Sequence, residues 1–410
     1  MKTQMNPNEA ATTKVSVIGL GYIGLPTAAI LASRGFNVTG VEISATAIAT
    51  INEGRAHIVE PDLDMLVQAA VSTGKLKAET HPSESDVFII CVPTPLDGSN
   101  RADLQYVMDA TKQVATVIKS GNMVVLESTS PPGTTERIAN SLREQTGLDE
   151  TEIHVAHAPE RVLPGHIIRE VIENDRIVGG VTPEATKAVQ GFYEHFVRGK
   201  VFTTDSRTAE TVKLVENAYR DVNIGFANEI SLIADQLGID VWRLISLANK
   251  HPRVNILRPG TGVGGHCIAV DPWFLVHSAP EDTRLIRTAR EVNDSKPMQV
   301  AKKILDKAAR FSSPKVACLG LSYKPNVDDL RESPAVEVCQ HLASHPSGID
   351  LIVVEPFVAS HAEFELADLQ SALQQADIVA FLVAHDEFRG VPQTILEEKV
   401  VIDACGILRE

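Results

Sequence analysis

Short, unbroken apolar runs mark both ends of the chain, and most are separated by helix-length segments. Lys14-Val-Ser-Val-Ile-Gly-Leu20 is a β-rich run closing on glycine, and Lys315-Val-Ala-Cys-Leu-Gly-Leu321 repeats it almost residue for residue. The echo continues in order. Val38-Thr-Gly-Val-Glu42 pairs with Leu351-Ile-Val-Val-Glu355, Ser85-Asp-Val-Phe-Ile-Ile-Cys-Val92 with Gln375-Ala-Asp-Ile-Val-Ala-Phe-Leu-Val383, and Met123-Val-Val-Leu-Glu127 with Val400-Val-Ile-Asp403. Runs that are apolar throughout, rather than alternating, predict strands buried on both faces of a parallel sheet. Strands alternating with helices at this spacing predict a doubly wound sheet with right-handed crossovers. The expected fold class is therefore α/β, with two Rossmann-like, doubly wound parallel-sheet domains of one architecture.

The segment between the repeats has a different period. From Ser206 to about Asn249 there is no proline, and Val212, Val215, Tyr219, Val222, Phe226, Ile230 and Ile233 recur at helical spacing. This predicts a long central helix, weakened slightly by Gly225, and a second helix from Val241 to Asn249. A largely apolar helix joining two domains needs a cover. A partner subunit and the chain's own two domains are equally open as that cover.

Composition narrows the function classes. The 410 residues allow two or three domains, and 44% apolar residues suffice for large cores. A formal net charge of −15 disfavours nucleic acid or an anionic membrane as principal partner. Met1 to Lys14 is polar and reads as a loose tail rather than a signal peptide, and no apolar run approaches the ~20 residues of a membrane span. Cys91, Cys267, Cys318, Cys339 and Cys405 are odd in number and no two have metal-ligand spacing, which suits a reduced, cytoplasmic protein.

Gly19-Leu-Gly21-Tyr-Ile-Gly24 follows the first predicted strand and opens a helix. Gly19 permits the tight turn, Gly21 lets backbone approach a pyrophosphate, and Gly24 lets helix and sheet pack closely. The helix N-terminus then presents free N–H groups to phosphate. Glu42 ends the next strand near the expected ~20-residue offset, where a carboxylate accepts from ribose hydroxyls and repels a 2′-phosphate. This predicts NAD over NADP. The second half lacks these glycines. Its first turn, Gly320-Leu-Ser-Tyr-Lys-Pro325, precedes Asp329-Leu-Arg331, so Lys324 and Arg331 stand where a doubly wound domain would take an anionic ligand such as a diphosphate.

The loop from His251 and Arg253 through Gly260 and Gly265 to His266-Cys267 and Asp271 places four glycines just ahead of a cysteine, bringing backbone and thiol close to a ligand. The other four cysteines read as small core residues, leaving Cys267 as the candidate nucleophile. Adjacent His266 and Cys267 rarely ligate one ion, and no other ligand cluster accompanies them, so no metal is expected. Lys213 and Asn217 share one helix face. By spacing alone they read as a solvated stripe, just as Pro159-Glu160-Arg161 reads as a surface loop. The turn Ser128-Thr129-Ser-Pro131-Pro132-Gly133 closes the fourth strand, beside the place for a nicotinamide.

Taken together and in this order, GLGYIGLP, VPTP, ESTSPPGT, APER, the Lys213–Asn217 helix, GVGGHC with Asp271, and YKPNVDDLRESPA resemble the UDP-glucose/GDP-mannose dehydrogenase family over essentially the whole chain after Lys14. HPRVNILRPGTGVGGHCIAVDPWF and APERVLPG are most similar to its bacterial UDP-N-acetyl-D-mannosamine branch. The resemblance implies Cys267 as nucleophile, with Lys213, Asn217 and Asp271 steadying oxyanions. It implies Glu160 as acid/base and Thr129 as a hydroxyl that positions water. It further implies cofactor contacts from Gly19, Gly21, Tyr22, Ile23, Gly24, Glu42, Thr94 and Thr129. Around a UDP-sugar it implies Glu160, Arg161, Val162, Lys213, Asn217, Arg220, His251, Gly264, Tyr323, Lys324 and Arg331. It implies a homodimer through the central helices, with Arg253 reaching the neighbouring subunit's substrate. Pro164 stands where UDP-glucose enzymes commonly carry a second glutamate, and His266 where they commonly carry serine, which matches the N-acetylhexosamine branch; the expected substrate is UDP-N-acetyl-D-mannosamine, with UDP-N-acetylglucosamine or UDP-glucose as the alternative. The expected division is 1–203 (NAD-binding, with 1–13 a flexible tail), 204–300 (dimerisation helices and cysteine loop) and 301–410 (UDP-sugar-binding). A simple alcohol dehydrogenase would have no use for a cysteine in the ligand loop, and a non-catalytic binder would not need the full set of polar groups.

Overall fold

The computed structural model describes residues 7–265, 267–346 and 348–409. They form two compact units that divide between Val215 and Glu216, with Trp273–Ser278 belonging to the first.

The first unit is built on eight strands: β1 (Lys14–Ile18), β2 (Asn37–Val41), β3 (Leu76–Glu79), β4 (Val87–Ile90), β5 (Met123–Leu126), β6 (His154–His157), β7 (Arg176–Gly180) and β8 (Val201–Asp205). Their order is β3-β2-β1-β4-β5-β6-β7-β8. In β4, Val87 and Ile89 pack on one face with Leu25, Ile30 and Leu31, while Phe88 and Ile90 pack on the other with Val107, Ile138 and Leu142. Both faces are covered, so the run has no polar position. Burying each such side chain contributes roughly 1.5–3 kcal/mol. One expectation is corrected here: the sheet is not wholly parallel. β7 runs antiparallel to β6, pairing His157 with Gly179, and β8 follows β7 in parallel. The predicted loose tail is corrected too. Pro7–Thr12 forms a helix, Ala10 packs on the core, and the Ala11 carbonyl accepts from Asn37 Nδ2 at 2.8 Å. Met1–Asn6 lie outside the described residues.

The second unit carries β9 (Lys315–Leu319), β10 (Asp350–Val354), β11 (Ile378–Phe381) and β12 (Val400–Asp403), all parallel, in the order β10-β9-β11-β12. This reproduces β2-β1-β4-β5 and confirms the internal repeat. A single parallel bridge from Leu366 to Val353 stands where β3 would be. At the end of β10, Glu355 is buried and occupied. It accepts from the backbone N–H groups of Leu321 at 2.6 Å, Ser322 at 3.0 Å and Phe357 at 2.9 Å, and lies 3.2 Å from His385 Nε2.

The central helix runs unbroken from Ser206 to Leu237, followed by Val241–Ala248. Gly225 does not break it. A Cβ there would lie 3.1 Å from Ala289 on the Arg284–Ala308 helix, so glycine lets the two helices approach. Their contact is polar and buried. Arg290 Nη1 donates to Asp221 at 2.5 Å, Asn293 Nδ2 to Asp221 at 2.8 Å, Asn228 to Asn293 at 2.8 Å, and Lys296 to Ser231 Oγ at 2.7 Å.

Candidate active site

In the first unit the glycine turn after β1 is shaped by contact. A Cβ on Gly24 would fall 1.8 Å from the Gly19 carbonyl oxygen, and one on Gly19 would meet the Cys91 carbonyl at 2.8 Å. Gly21 has open space around it, and no side chain caps the helix Gly24–Ser33, though Leu25 N donates to the Gly21 carbonyl at 3.1 Å and Pro26 carries no N–H. Glu42 accepts from Leu20 N at 3.1 Å and from Ile43 and Ser44 N at 2.8 and 3.1 Å. It remains half-buried. Thr94 Oγ1 beyond β4 is a buried atom with no hydrogen-bond partner. Tyr22 is exposed, while Ile23 and Thr129 are half-buried. These residues fit a dinucleotide.

Glu160 is the outstanding acid of this unit. It is 8% exposed, and its Oε1 has no hydrogen-bond partner. Burial lifts its pKa above the usual carboxylate value; Lys213 and Arg176 oppose that, Glu127 adds to it, and the Val162 N–H donates to the carboxylate. The default surface-loop reading of Pro159-Glu160-Arg161 therefore fails for Glu160. Arg161, half-buried, reaches the Asp175 carbonyl at 3.3 Å. Thr129's turn is held from the central helix. Buried Glu210, one turn before Lys213, accepts from Gly133 N at 2.6 Å, Thr135 N at 2.7 Å and Thr135 Oγ1 at 2.6 Å. A carboxylate at that helix start neutralises its free donors.

In the second unit the glycine loop before Cys267 is clamped. Gly260 N donates to Asn228 Oδ1 at 2.9 Å, Thr261 Oγ1 to the Leu382 carbonyl at 2.6 Å, and Gly265 N to the Arg331 carbonyl at 3.3 Å. A Cβ on Gly264 would lie 2.3 Å from the Glu332 carbonyl, and one on Gly265, whose φ is +78°, would strike the Tyr323 ring at 2.8 Å. The glycines thus serve loop packing as well as access. Cys267 is exposed, whereas Cys318 and Cys339 are buried and Cys91 and Cys405 are half-buried. Cys91 lies one residue past β4 rather than in it, with its thiol 3.4 Å from Glu127. His266 lies outside the described residues. Asn217 Nδ2 donates to Asp271 Oδ2 at 2.5 Å, and Asp271 is 3% exposed, so two of the candidate residues are joined directly. Lys324 Nζ stands 5.7 Å from the centre of the Tyr323 ring. Arg331 is held in a two-pronged ion pair by Asp329, at 2.8 and 2.6 Å. Arg220, His251 and Arg253 are exposed.

Three models of the UDP-glucose/GDP-mannose dehydrogenase family match in succession: its NAD binding domain at 13–197, its central domain at 207–295 and its UDP binding domain at 317–410. The chain belongs to that family. It is 55% identical to the NDP-N-acetyl-D-galactosaminuronic acid dehydrogenase of Ralstonia nicotianae, over 96% of both chains. It is 53% identical to the UDP-N-acetyl-D-mannosamine dehydrogenase of Campylobacter jejuni, over 92% of this chain and 96% of that one. The solved UDP-D-ManNAc dehydrogenase of Pyrococcus horikoshii superposes with a TM-score of 0.90 at 42% identity, covering 97% of this chain and 96% of that one.

Family membership makes this an NAD-dependent oxidoreductase. Two features of the site escaped the sequence. Glu210 is not singled out by the sequence pattern. Of the pair Glu127 and Arg176, both nearly inaccessible, Glu127 is read only as the end of an apolar run and Arg176 is not singled out. The signal available for Glu127 was its place at a strand terminus inside ESTSPPGT.

Proposed function

We propose that the protein oxidises C6 of UDP-N-acetyl-D-mannosamine from alcohol to carboxylate, a four-electron reaction passing through a cysteine thioester. The observation that carries this reading is the single exposed thiol, Cys267, on a loop clamped within the unit that also holds the Asn217–Asp271 pair. Gly19, Gly21, Gly24 and Glu42, with Tyr22, Ile23, Thr94 and Thr129 around them, would hold NAD, which would supply the hydride acceptor for each of the two oxidations. The alcohol gives its hydroxyl proton to a base and loses its C6 hydride, and becomes an aldehyde. The Cys267 thiolate then adds to the aldehyde carbon, forming a C–S bond and an alkoxide. Lys213 and Asn217, one turn apart on the central helix, steady that oxygen, at roughly 3 kcal/mol per donor. Loss of hydride from the same carbon leaves the thioester. Glu160 takes a proton from water, the hydroxide adds to the thioester carbonyl, and the C–S bond breaks to release carboxylate and thiolate. Asp271 orients Asn217, and Thr129 positions the water.

Tyr323, Lys324, Arg331, Arg220, His251, Gly264, Arg161 and Val162 are proposed to hold the UDP-sugar. The central helix supports a homodimer. Tyr219, Phe226, Ile233 and Leu237 are exposed at heptad-compatible spacing, at 70, 52, 43 and 65%. Arg253 is proposed to reach the substrate of the partner subunit. The division at 203/204 and 300/301 into NAD-binding, helical and UDP-sugar-binding parts belongs to the same reading, as does a cytoplasmic location. Among the described residues no helix is long and apolar enough to cross a membrane. The Ralstonia relative favours a second reading, an N-acetylgalactosamine configuration. NADH release from a panel of UDP-sugars decides between them. UDP-N-acetyl-D-mannosamine should give much the largest kcat/KM and two NADH per sugar. Equal turnover of UDP-glucose would overturn the sugar while leaving the chemistry.

A further inference from the structure

Beneath the Pro159–Arg161 turn lies a cluster of buried ionisable groups that the mechanism above does not use. Arg176, 3% exposed, opens β7, and Glu127, 1% exposed, follows β5. Arg176 Nη1 is 3.8 Å from Glu127 Oε1, and its guanidinium lies 5.3 Å from the centre of the Tyr193 ring. The Tyr193 hydroxyl donates to Glu127 Oε1 at 2.5 Å, and the Cys91 thiol to Oε2 at 3.4 Å. Both terminal nitrogens of Arg176 are buried without a hydrogen-bond partner, and so is Glu160 Oε1.

Strand register explains why these groups face one another. β6 and β7 pair antiparallel, Ala156 with Gly180 and His157 with Gly179. Continued past the last ladder pair, that register sets Glu160 opposite Arg176. Side-chain bonds tie the same two segments together beyond the ladder: Asn174 Nδ2 donates to the Arg161 carbonyl at 3.1 Å, and Arg161 Nη1 to the Asp175 carbonyl at 3.3 Å. The antiparallel turn of the sheet therefore delivers a buried cation to the strand position facing Glu160. An all-parallel sheet would not.

We propose that Arg176 and Glu127 are positioning residues for Glu160, holding its charge through a buried ion pair while leaving one carboxylate oxygen free to take up and release a proton. A hydrogen bond from the guanidinium would occupy that oxygen; a charge held behind it does not. The groups facing Glu160 are Lys213 from the central helix, Arg176 from β7, Glu127 from the end of β5 and the Val162 N–H from its own loop. Cys91 and Tyr193 stand behind, both pushed far up by burial and so uncharged. Buried His157, pushed down to about 3, is neutral over the working range. The two neighbours act in opposite senses. Glu127 disfavours ionisation of Glu160 and Arg176 favours it.

The inference rests on Glu160 acting as the base, and the test separates the two. The pH dependence of kcat/KM is measured for wild type, Glu160→Gln, Glu127→Gln, Arg176→Gln and Arg176→Lys. Glu127→Gln should move the acid limb to lower pH, retaining about tenfold more relative activity below the limb per pH unit moved. Arg176→Gln should move it to higher pH, and Arg176→Lys should restore it. An unmoved limb in Glu127→Gln, with Glu160→Gln inactive, overturns the coupling and leaves the base in place. An active Glu160→Gln removes the base and the coupling with it. Should the charge-removing variants not fold, carboxyl 13C titration of Glu160, assigned by its loss in Glu160→Gln, is compared between wild type and Glu127→Asp, which keeps the charge and draws it back by one methylene. A Glu160 midpoint that falls in Glu127→Asp supports the proposal, and an unmoved one overturns it.

Discussion

Lys296 should weaken the second unit, and replacing it should strengthen that unit. Its ammonium is 6% exposed and has one hydrogen bond, to Ser231 Oγ. Burial drives its pKa from 10.5 down to about 8. Asp235, which is paired with Lys303 at 2.7 Å, opposes the drop, and Lys303 adds to it. At 1.36 kcal/mol per decade, that depression makes keeping the folded lysine charged at neutral pH cost about 3 kcal/mol. The unfolded chain holds this proton more tightly. Between about 8 and 10.5 the unfolded state therefore binds more protons, and stability rises with pH across that window. Lys296→Met keeps the shape of the stem and leaves Ser231 bonded to the Asn228 carbonyl at 2.6 Å. The variant should gain about 1–3 kcal/mol at pH 7, a rise of several degrees in Tm for a unit of this size. Its advantage should shrink as pH approaches 10. Calorimetric melts of both proteins from pH 7 to 10 read this directly. A variant less stable than wild type at pH 7, with a parallel pH dependence, would show that Lys296 is a satisfied part of the helix seam.

Glu42→Ala should raise KM for NAD by roughly 10–100-fold, the loss of charge-assisted bonds to ribose, and narrow the preference over NADP. A wild-type preference for NADP would refute the role given to Glu42. Cys267→Ser should abolish steady turnover of the alcohol while both ligands still bind, and Glu160→Gln should accumulate a thioester visible by intact-protein mass spectrometry. A serine variant yielding two NADH per sugar at near wild-type rate would remove the covalent route. Mixing Arg253→Ala with Cys267→Ala under subunit exchange should restore part of the activity, since one hybrid site is intact. No recovery after verified exchange would confine Arg253 to its own chain.

The fold was legible where burial wrote itself into composition. The central strands are apolar at every position because both sheet faces are covered, and the repeated order of those strands carried over into two sheets of matching topology. Strand direction left no such trace. Arg176-Ile-Val-Gly-Gly180 has the same apolar character whichever way it runs, so the reversal at β7 was invisible. The Pro7–Thr12 helix was missed because Ala10, which packs on the core, lies in a polar stretch. Among site residues, Cys267 was legible by elimination and by its glycines. Glu160 read as surface, since a charged residue beside proline carries no mark of being buried. Glu127 and Arg176 were hidden for the same reason, and only register brings Arg176 opposite Glu160.

The acid that closes β10 has a consequence for anyone rebuilding this protein. Glu42 and Glu355 stand at equivalent strand ends and each accepts from three backbone N–H groups, but Glu355 is buried and is bonded to an imidazole of its own unit as well. Grafting the glycines of the first turn onto Gly320-Leu-Ser-Tyr would therefore not create a second dinucleotide pocket. The carboxylate such a pocket requires has been turned inward, and freeing it would strand the His385 ring that Phe357 stacks upon. The duplicated sheet is a retired socket: the frame survives, and its contact has been soldered to the chain itself.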